Sequence, residues 1–224
     1  MCGRYALNLT PEEIERRFGI TEFVQLRLPP VMPRFNVAPT SVMPVVAEQR
    51  AGRTLAAMRW GFQPAWMTPE RAPPPINARA ETVATSGLFK SALARQRCVV
   101  PATGFFEWSV VPGQRRKAPH HIRLRGGEPF GFAGIYTPPS DGQPGTYAII
   151  TTMPNELTAP LHDRMPVILM PEFESLWLDP STMDPTRVLP LLQPFPAERM
   201  EAYRVGHDVG TPANDRPDLI APLG

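Results

Sequence analysis

The chain has very little cysteine, only Cys2 and Cys98 among 224 residues. Two thiols so far apart give no disulfide framework that could replace a hydrophobic core, which points to a reducing cytoplasm. Together with four scattered histidines they form no CxxC, HExxH or similar ligand spacing, so no metal is expected, and no cofactor either. Long apolar runs are also missing. Nowhere does the chain reach the roughly 18 consecutive apolar residues of a membrane span, and its start lacks the basic region and apolar run of an export signal. The formal net charge of +2 excludes a grip on nucleic acid over the whole surface, so any polyanion contact must come from local arginines. Neither a phosphate-cradling glycine loop nor a GxSxG nucleophile elbow is found.

What is present suits one compact domain, with 42% apolar residues and 30 prolines spread singly among apolar runs. Thr10, Pro11 and Glu13 supply an N-cap, an N1 proline and a capping-box acid, and Ile14 and Phe18 share a face before Gly19, predicting a short helix. Short strands are predicted at Val42–Ala47, Leu55–Trp60, Cys98–Ala102, Phe105–Val110, His120–Arg125, Pro129–Tyr136, Tyr147–Thr152 and Pro166–Met170. Gly126 and Gly127 read as a hairpin turn. Further helices are predicted at Leu88–Gln96 and Glu172–Leu178, the second opened by Pro171, with Leu189–Leu192 a third or a core plug. The fold class is therefore α+β, a single domain with a mainly antiparallel, barrel-like sheet core flanked by short helices. Pro69–Pro75 reads as an exposed loop, and the tail after Gly210 as loosely ordered.

Four segments carry chemistry. Removal of Met1, favoured by the small residue after it, leaves Cys2 with an α-amine and a thiol on adjacent carbons. With ordinary pKa values of about 8 and 8.5, both are accessible nucleophiles near neutral pH. Such an aminothiol condenses with an aldehyde to a Schiff base, which the sulfur closes to a thiazolidine in a ring closure favoured by effective molarity. The plain alternative is a buried small hydrophobe. In the run INARAET, Asn77 and Arg79 share one side if the segment is extended, an amide beside a guanidinium able to hold a phosphate; a loop pinned by an Arg79–Glu81 ion pair is the plain alternative. In GFFEW, Glu107 stands among Phe105, Phe106 and Trp108, where burial would raise its pKa toward neutrality. In LHDRMP, His162 can exchange protons at physiological pH and Arg164 can hold a phosphate. His120 and His121 read as structural, and His207 carries no signal.

Taken in order, MCGRY, RFNVAP, WGF with Pro64 and Trp66, INARAET, GFFEW and HDRMPVIL make the chain resemble the SOS-response-associated (SRAP) family, most clearly over residues 2–170 and more weakly to about residue 210. The resemblance implies a domain over residues 2–210 and a tail over 211–224. It implies a sensor of abasic sites in single-stranded DNA that traps the ring-opened sugar as a covalent thiazolidine on Cys2. Asn77 would then position Cys2 and the sugar, Glu107 act as general acid and base, and His162 assist ring opening. Arg4, Arg79 and Arg164 would hold phosphates, while Asn36, Pro39, Trp66 and Trp108 would line the DNA path or support the site. The expected state is a cytoplasmic monomer, drawn to the nucleoid when bound to DNA, with the replication machinery a candidate partner. Weak abasic-site lyase activity and autoproteolytic removal of Met1 belong to the same implication. Phe106 departs from the tyrosine more usual in the family, and Val205–Gly210 matches its pattern only loosely.

Two other readings use the same residues. A cysteine peptidase would employ Cys2, His162 and Glu107 as nucleophile, base and orienter, with turnover that survives blocking of the α-amine. A noncatalytic single-strand binding module would keep all DNA association in Cys2→Ala.

Overall fold

The computed structural model describes residues 2–21, 32–49, 52–67, 73–140 and 142–223. Along the chain run β1 (Tyr5–Leu7), α1 (Pro11–Phe18), β2 (Arg34–Val37), β3 (Val42–Gln49), β4 (Gly52–Trp60), β5 (Asn77–Arg79), α2 (Lys90–Arg95), β6 (Arg97–Ala102), β7 (Gly104–Ser109), β8 (Ala118–Leu124), β9 (Phe130–Thr137), β10 (Gly145–Thr152), β11 (Met165–Pro166), α3 (Glu174–Leu178) and β12 (Met200–Arg204). The chain is α+β, with two largely antiparallel sheets and few short helices, and among the described residues no helix is long and apolar enough to cross a membrane.

One sheet has the order β12-β8-β7-β1-β2. In the other, β11-β10-β4-β3-β6-β9, strand β9 pairs with β6 and also with β10, so five strands close into a ring. Strand β10 is buried along its whole length and pairs in parallel with both β4 and β5. The two sheets are joined by one continuous stretch, β6 to β7, which changes sheet at Thr103. There the Thr103 N–H donates to the Ala6 carbonyl at 2.8 Å. Gly104 follows because a Cβ at that position would meet His121 Nε2 at 2.1 Å.

Local chemistry forms α1 as the sequence predicts. The Thr10 hydroxyl accepts the Glu13 N–H, the Glu13 carboxylate accepts the Thr10 N–H at 2.8 Å, and Gly19 ends the helix at φ 61°. Ile14 and Phe18 face the core, and Arg17 donates to Glu174 of α3 at 2.8 and 3.1 Å.

Three expectations need correction. Gly126 and Gly127 do adopt positive φ, but β8 and β9 are not partners, so the turn carries the chain from one sheet to the other and is no hairpin. Only Met165–Pro166 of the expected Pro166–Met170 strand joins a ladder; beyond it Val167 donates to Ile150 of β10, and Ile168 makes a single antiparallel bridge with Phe132 of β9, flanked by the hydrogen bonds from Ala133 to Val167 and from Leu169 to Gly131, so the segment passes from β10 to β9. The tail after Gly210 is tied down. Asp215 accepts the Phe35 and Asn36 N–H groups at 2.6 and 3.1 Å and pairs with Arg34, while Leu219 is buried in a small second core with Ala6, Phe106, Val205 and Val209. Of the expected Pro69–Pro75 loop, residues 69–72 lie outside the described residues, and 73–75 have no regular structure.

Candidate active site

Strand β1 runs antiparallel to β7 with Tyr5 opposite Phe105, and the Phe106 N–H donates to the Arg4 carbonyl at 3.0 Å. The chain before Tyr5 thus leads toward the half of β7 that carries Glu107. Side chains alternate along β7, so Phe105 and Glu107 face the main core while Phe106 and Trp108 face the second, smaller one. Cys2 is fully buried. Its thiol pKa is pushed up by burial and then by the negative charge of Glu107, an effect that requires the two groups to be close. Glu107 itself is 4% exposed, and its carboxyl is raised to about 7, chiefly by burial, with the charge of Asp163 adding to it.

Asn77 and Arg79 lie on β5 as an extended pair on the same side, with Ala78 buried between them. The Asn77 amide donates to the Ile149 carbonyl at 3.4 Å, and its Oδ1 is buried with no hydrogen-bond partner among the described residues. Thr151 of β10 gathers the neighbouring pieces. Its carbonyl accepts the Ala80 N–H at 2.8 Å and Arg164 Nη2 at 2.7 Å.

His162 ends a turn held by an Asn155–Thr158 network, in which each residue's side chain accepts the other's backbone N–H and Asn155 Nδ2 donates to the Phe195 carbonyl at 2.7 Å. The imidazole Nδ1 accepts the Arg164 N–H at 3.0 Å and also lies 2.7 Å from an Asp163 carboxylate oxygen. These contacts compete, since the first requires a lone pair on Nδ1 and the second a proton. Burial lowers the His162 pKa, which favours the neutral ring. The charges of Asp163 and Lys117 act on both His162 and Glu107, so the two side chains share one neighbourhood.

The structure separates the expected phosphate contacts. Arg79 is exposed. Arg164 is buried, its guanidinium engaged with Glu81 at 2.7 and 2.8 Å, so the ion pair to Glu81 that the plain alternative gave to Arg79 is made by Arg164. Arg4 donates to Asn36 Oδ1 at 2.8 Å and to the Val209 carbonyl at 2.7 Å. Asn36 is fully buried, and its Nδ2 donates to the carbonyls of Val209, Thr211 and Asn214. Arg4 and Asn36 thus hold the C-terminal segment from inside. Pro39 sits half-buried in a turn and Trp108 half-buried against the second core. Trp66, 70% exposed, flanks a cleft with Arg59, Gln63 and Thr146 at the opposite end of β10 from Thr151. His121 is structural, as expected. It is buried against Phe106, its Nδ1 lies 2.9 Å from the Tyr203 hydroxyl, and burial depresses its pKa to about 3.

Sequence reasoning named Glu81 only as a partner for Arg79, and it missed Lys117, the Asn155–Thr158 network and the hydrogen bond between the buried Tyr5 and Tyr147 hydroxyls, 2.8 Å, which joins β1 to β10. No group of three His, Cys, Asp or Glu side chains among the described residues is placed to hold a metal ion.

This architecture and these motifs define a member of the SOS response associated peptidase (SRAP) family, whose model matches residues 1–212; the chain belongs to that family. Among its relatives, the abasic site processing protein YoqW of Bacillus subtilis is 40% identical, over 98% of this chain and 99% of that protein. The abasic site processing protein YedK of Escherichia coli is 30% identical over the full length of both, and HMCES of Gallus gallus, also named an abasic site processing protein, is 29% identical over all of this chain and 78% of its own length. A crystal structure of a protein from Bacteroides thetaiotaomicron superposes with a TM-score of 0.84 at 27% identity, covering 99% of this chain and 100% of that one.

Proposed function

We propose that this chain, like the relatives named for abasic site processing, acts on abasic sites, and that it captures them in single-stranded DNA through Cys2 after Met1 is removed. The observation that supports this most is the burial of Cys2 within reach of Glu107, a carboxyl raised to about 7. A thiol whose pKa is raised makes a poor first nucleophile at neutral pH. That disfavours a peptidase in which the thiolate attacks and favours a sequence in which the amine acts first.

In that sequence the α-amine of Cys2 adds to the aldehyde carbon of the ring-opened sugar, and loss of one water gives the imine. The thiol then adds to the carbon of the protonated C=N bond, whose nitrogen keeps its own hydrogen while the sulfur's proton passes to the Glu107 carboxylate, and a thiazolidine results. Glu107, near half-protonation at neutral pH, donates the proton that expels water and accepts the one released by sulfur. Asn77 Oδ1 orients the amine or a sugar hydroxyl, and His162 Nε2–H donates to the ring oxygen as the sugar opens. β-Elimination from the imine is the lyase side branch. Arg79 contacts phosphate, and Trp66 and Pro39 offer surfaces to unstacked bases. Arg164 acts by holding the His162 turn, with Arg4, Asn36 and Trp108 as supports behind the site. The protein works as a cytoplasmic monomer on single strands exposed where replication stalls.

The test mixes protein with a single-stranded oligonucleotide carrying one abasic site and resolves the products on a denaturing gel without borohydride. A shifted band is expected from wild type and from Cys98→Ala, and none from Cys2→Ala. A band that persists in Cys2→Ala contradicts the reading.

A further inference from the structure

Two of the three arginines expected to hold phosphate are engaged inside the fold, which leaves the charge that meets the DNA to be found elsewhere. The connection from β7 to β8 carries Arg115, Arg116 and Lys117 in succession, all exposed, with no acidic residue between Ser109 and Ala118. Neither Arg115 nor Arg116 has a side-chain partner among the described residues. This loop leaves β7 two residues after Glu107, and the charge of Lys117 acts on both Glu107 and His162. The same face continues across the sheet. Glu107 pairs with His120 on β8, and His120 with Arg204 on β12, and residues directly opposite on neighbouring strands point to one side. At about 4.8 Å between strands, Arg204 stands about 10 Å from Glu107. His120 is half-buried between them and Arg204 is exposed. The sequence reading of His120 as purely structural missed this row, because strand pairing decides which side chains become neighbours.

Resting on the proposed function, we infer that Arg115, Arg116, Lys117 and Arg204 form a cationic track that holds the phosphodiester backbone of the strand beside the lesion. Cations free of internal partners on the rim of a site bind phosphates without reading sequence, and each contact adds to the salt dependence of binding.

The test is fluorescence anisotropy of an undamaged single-stranded oligonucleotide titrated with full-length protein at several salt concentrations. The triple variant Arg115→Ala, Arg116→Ala, Lys117→Ala is expected to weaken binding at least about tenfold at 0.1 M salt and to flatten the log–log salt slope by about 2, with Arg204→Ala a smaller change in the same direction. A control that removes equal charge elsewhere, Arg16→Ala, Arg95→Ala, Arg187→Ala, is expected to leave affinity within about threefold. Melting curves confirm that each variant is folded. Equal affinity and slope for the track variant and wild type, or an equal loss in the control, would overturn the inference. Because the DNA is undamaged, this result stands apart from whether Cys2 captures an aldehyde.

Discussion

Arg164 donates to both carboxylate oxygens of Glu81, at 2.7 and 2.8 Å, while the same guanidinium donates to the Thr151 carbonyl at 2.7 Å. One side chain thereby ties the residues after β5 to β10 and, through its own backbone N–H, to the His162 ring. Glu81→Gln removes the charge from this bidentate pair. Because Glu81 is about half exposed, the loss at neutral pH is only about 1 kcal/mol, a drop in Tm of roughly 2–4 °C. The hydrogen bond from Arg164 depresses the Glu81 pKa, so its contribution is present above the unfolded carboxylate pKa and is lost as pH falls through the folded value. Melts of wild type and Glu81→Gln are therefore expected to differ by a steady amount from pH 7 down to about pH 4 and to converge as the pH falls further. A difference that does not shrink below that range contradicts the assignment.

Glu107 has the opposite sign. Its folded pKa, about 7, lies above the unfolded value, so the folded state holds the proton more tightly, and stability falls as pH rises from the carboxylate range through about 7. Glu107→Gln removes that slope. The variant is expected to match wild type near pH 4 and to exceed it at pH 8 by up to about 3 kcal/mol, while its crosslinking slows by about a hundredfold or more. Melting curves and crosslinking rates across that range check both parts, and a variant less stable than wild type at pH 8 would contradict them.

The elements with strong local signals were legible in the sequence: α1 with its capping box and glycine stop, and the apolar strands β3, β4, β6, β7, β8, β9 and β10. The short strands β1, β2, β5 and β12 were not separately predicted, because three to five residues carry too little periodicity and owe their extension to partners. Cys2, Asn77, Glu107 and His162 stand out as candidates in the sequence because each sits in a distinctive local run. Their partners do not. Arg164 reads as a free cation until Glu81, distant along the chain, is folded against it, and the tail reads as loose because its anchors, Asp215 and Leu219, are single residues whose acceptors and pocket come from other segments.

The Tyr5–Tyr147 hydroxyl pair is a direct hydrogen bond between β1, which begins three residues after Cys2, and β10, and both rings are fully buried. Tyr147→Phe leaves a buried hydroxyl on Tyr5 without its partner, at a cost of about 1–2 kcal/mol. A lower Tm and slower crosslinking at saturating DNA are expected together; unchanged values in both would show that the bond positions nothing.

Deletion of residues 211–224 takes away two of the acceptors of Asn36 Nδ2, the Asp215 carboxylate and the buried Leu219 side chain. The expected loss is roughly 3 kcal/mol or more in denaturant unfolding. A truncated chain as stable as the full one would restore the reading of this segment as a loose tail.

The most direct test of covalent capture by an N-terminal aminothiol is the intact mass of the product formed with abasic single-stranded DNA, taken with and without borohydride. The account predicts the mass of the chain lacking Met1 plus that of the DNA minus one water, unchanged by borohydride because the imine has already closed to a ring. An adduct that retains Met1, one that gains two hydrogens on reduction, or no adduct from correctly processed protein would contradict it.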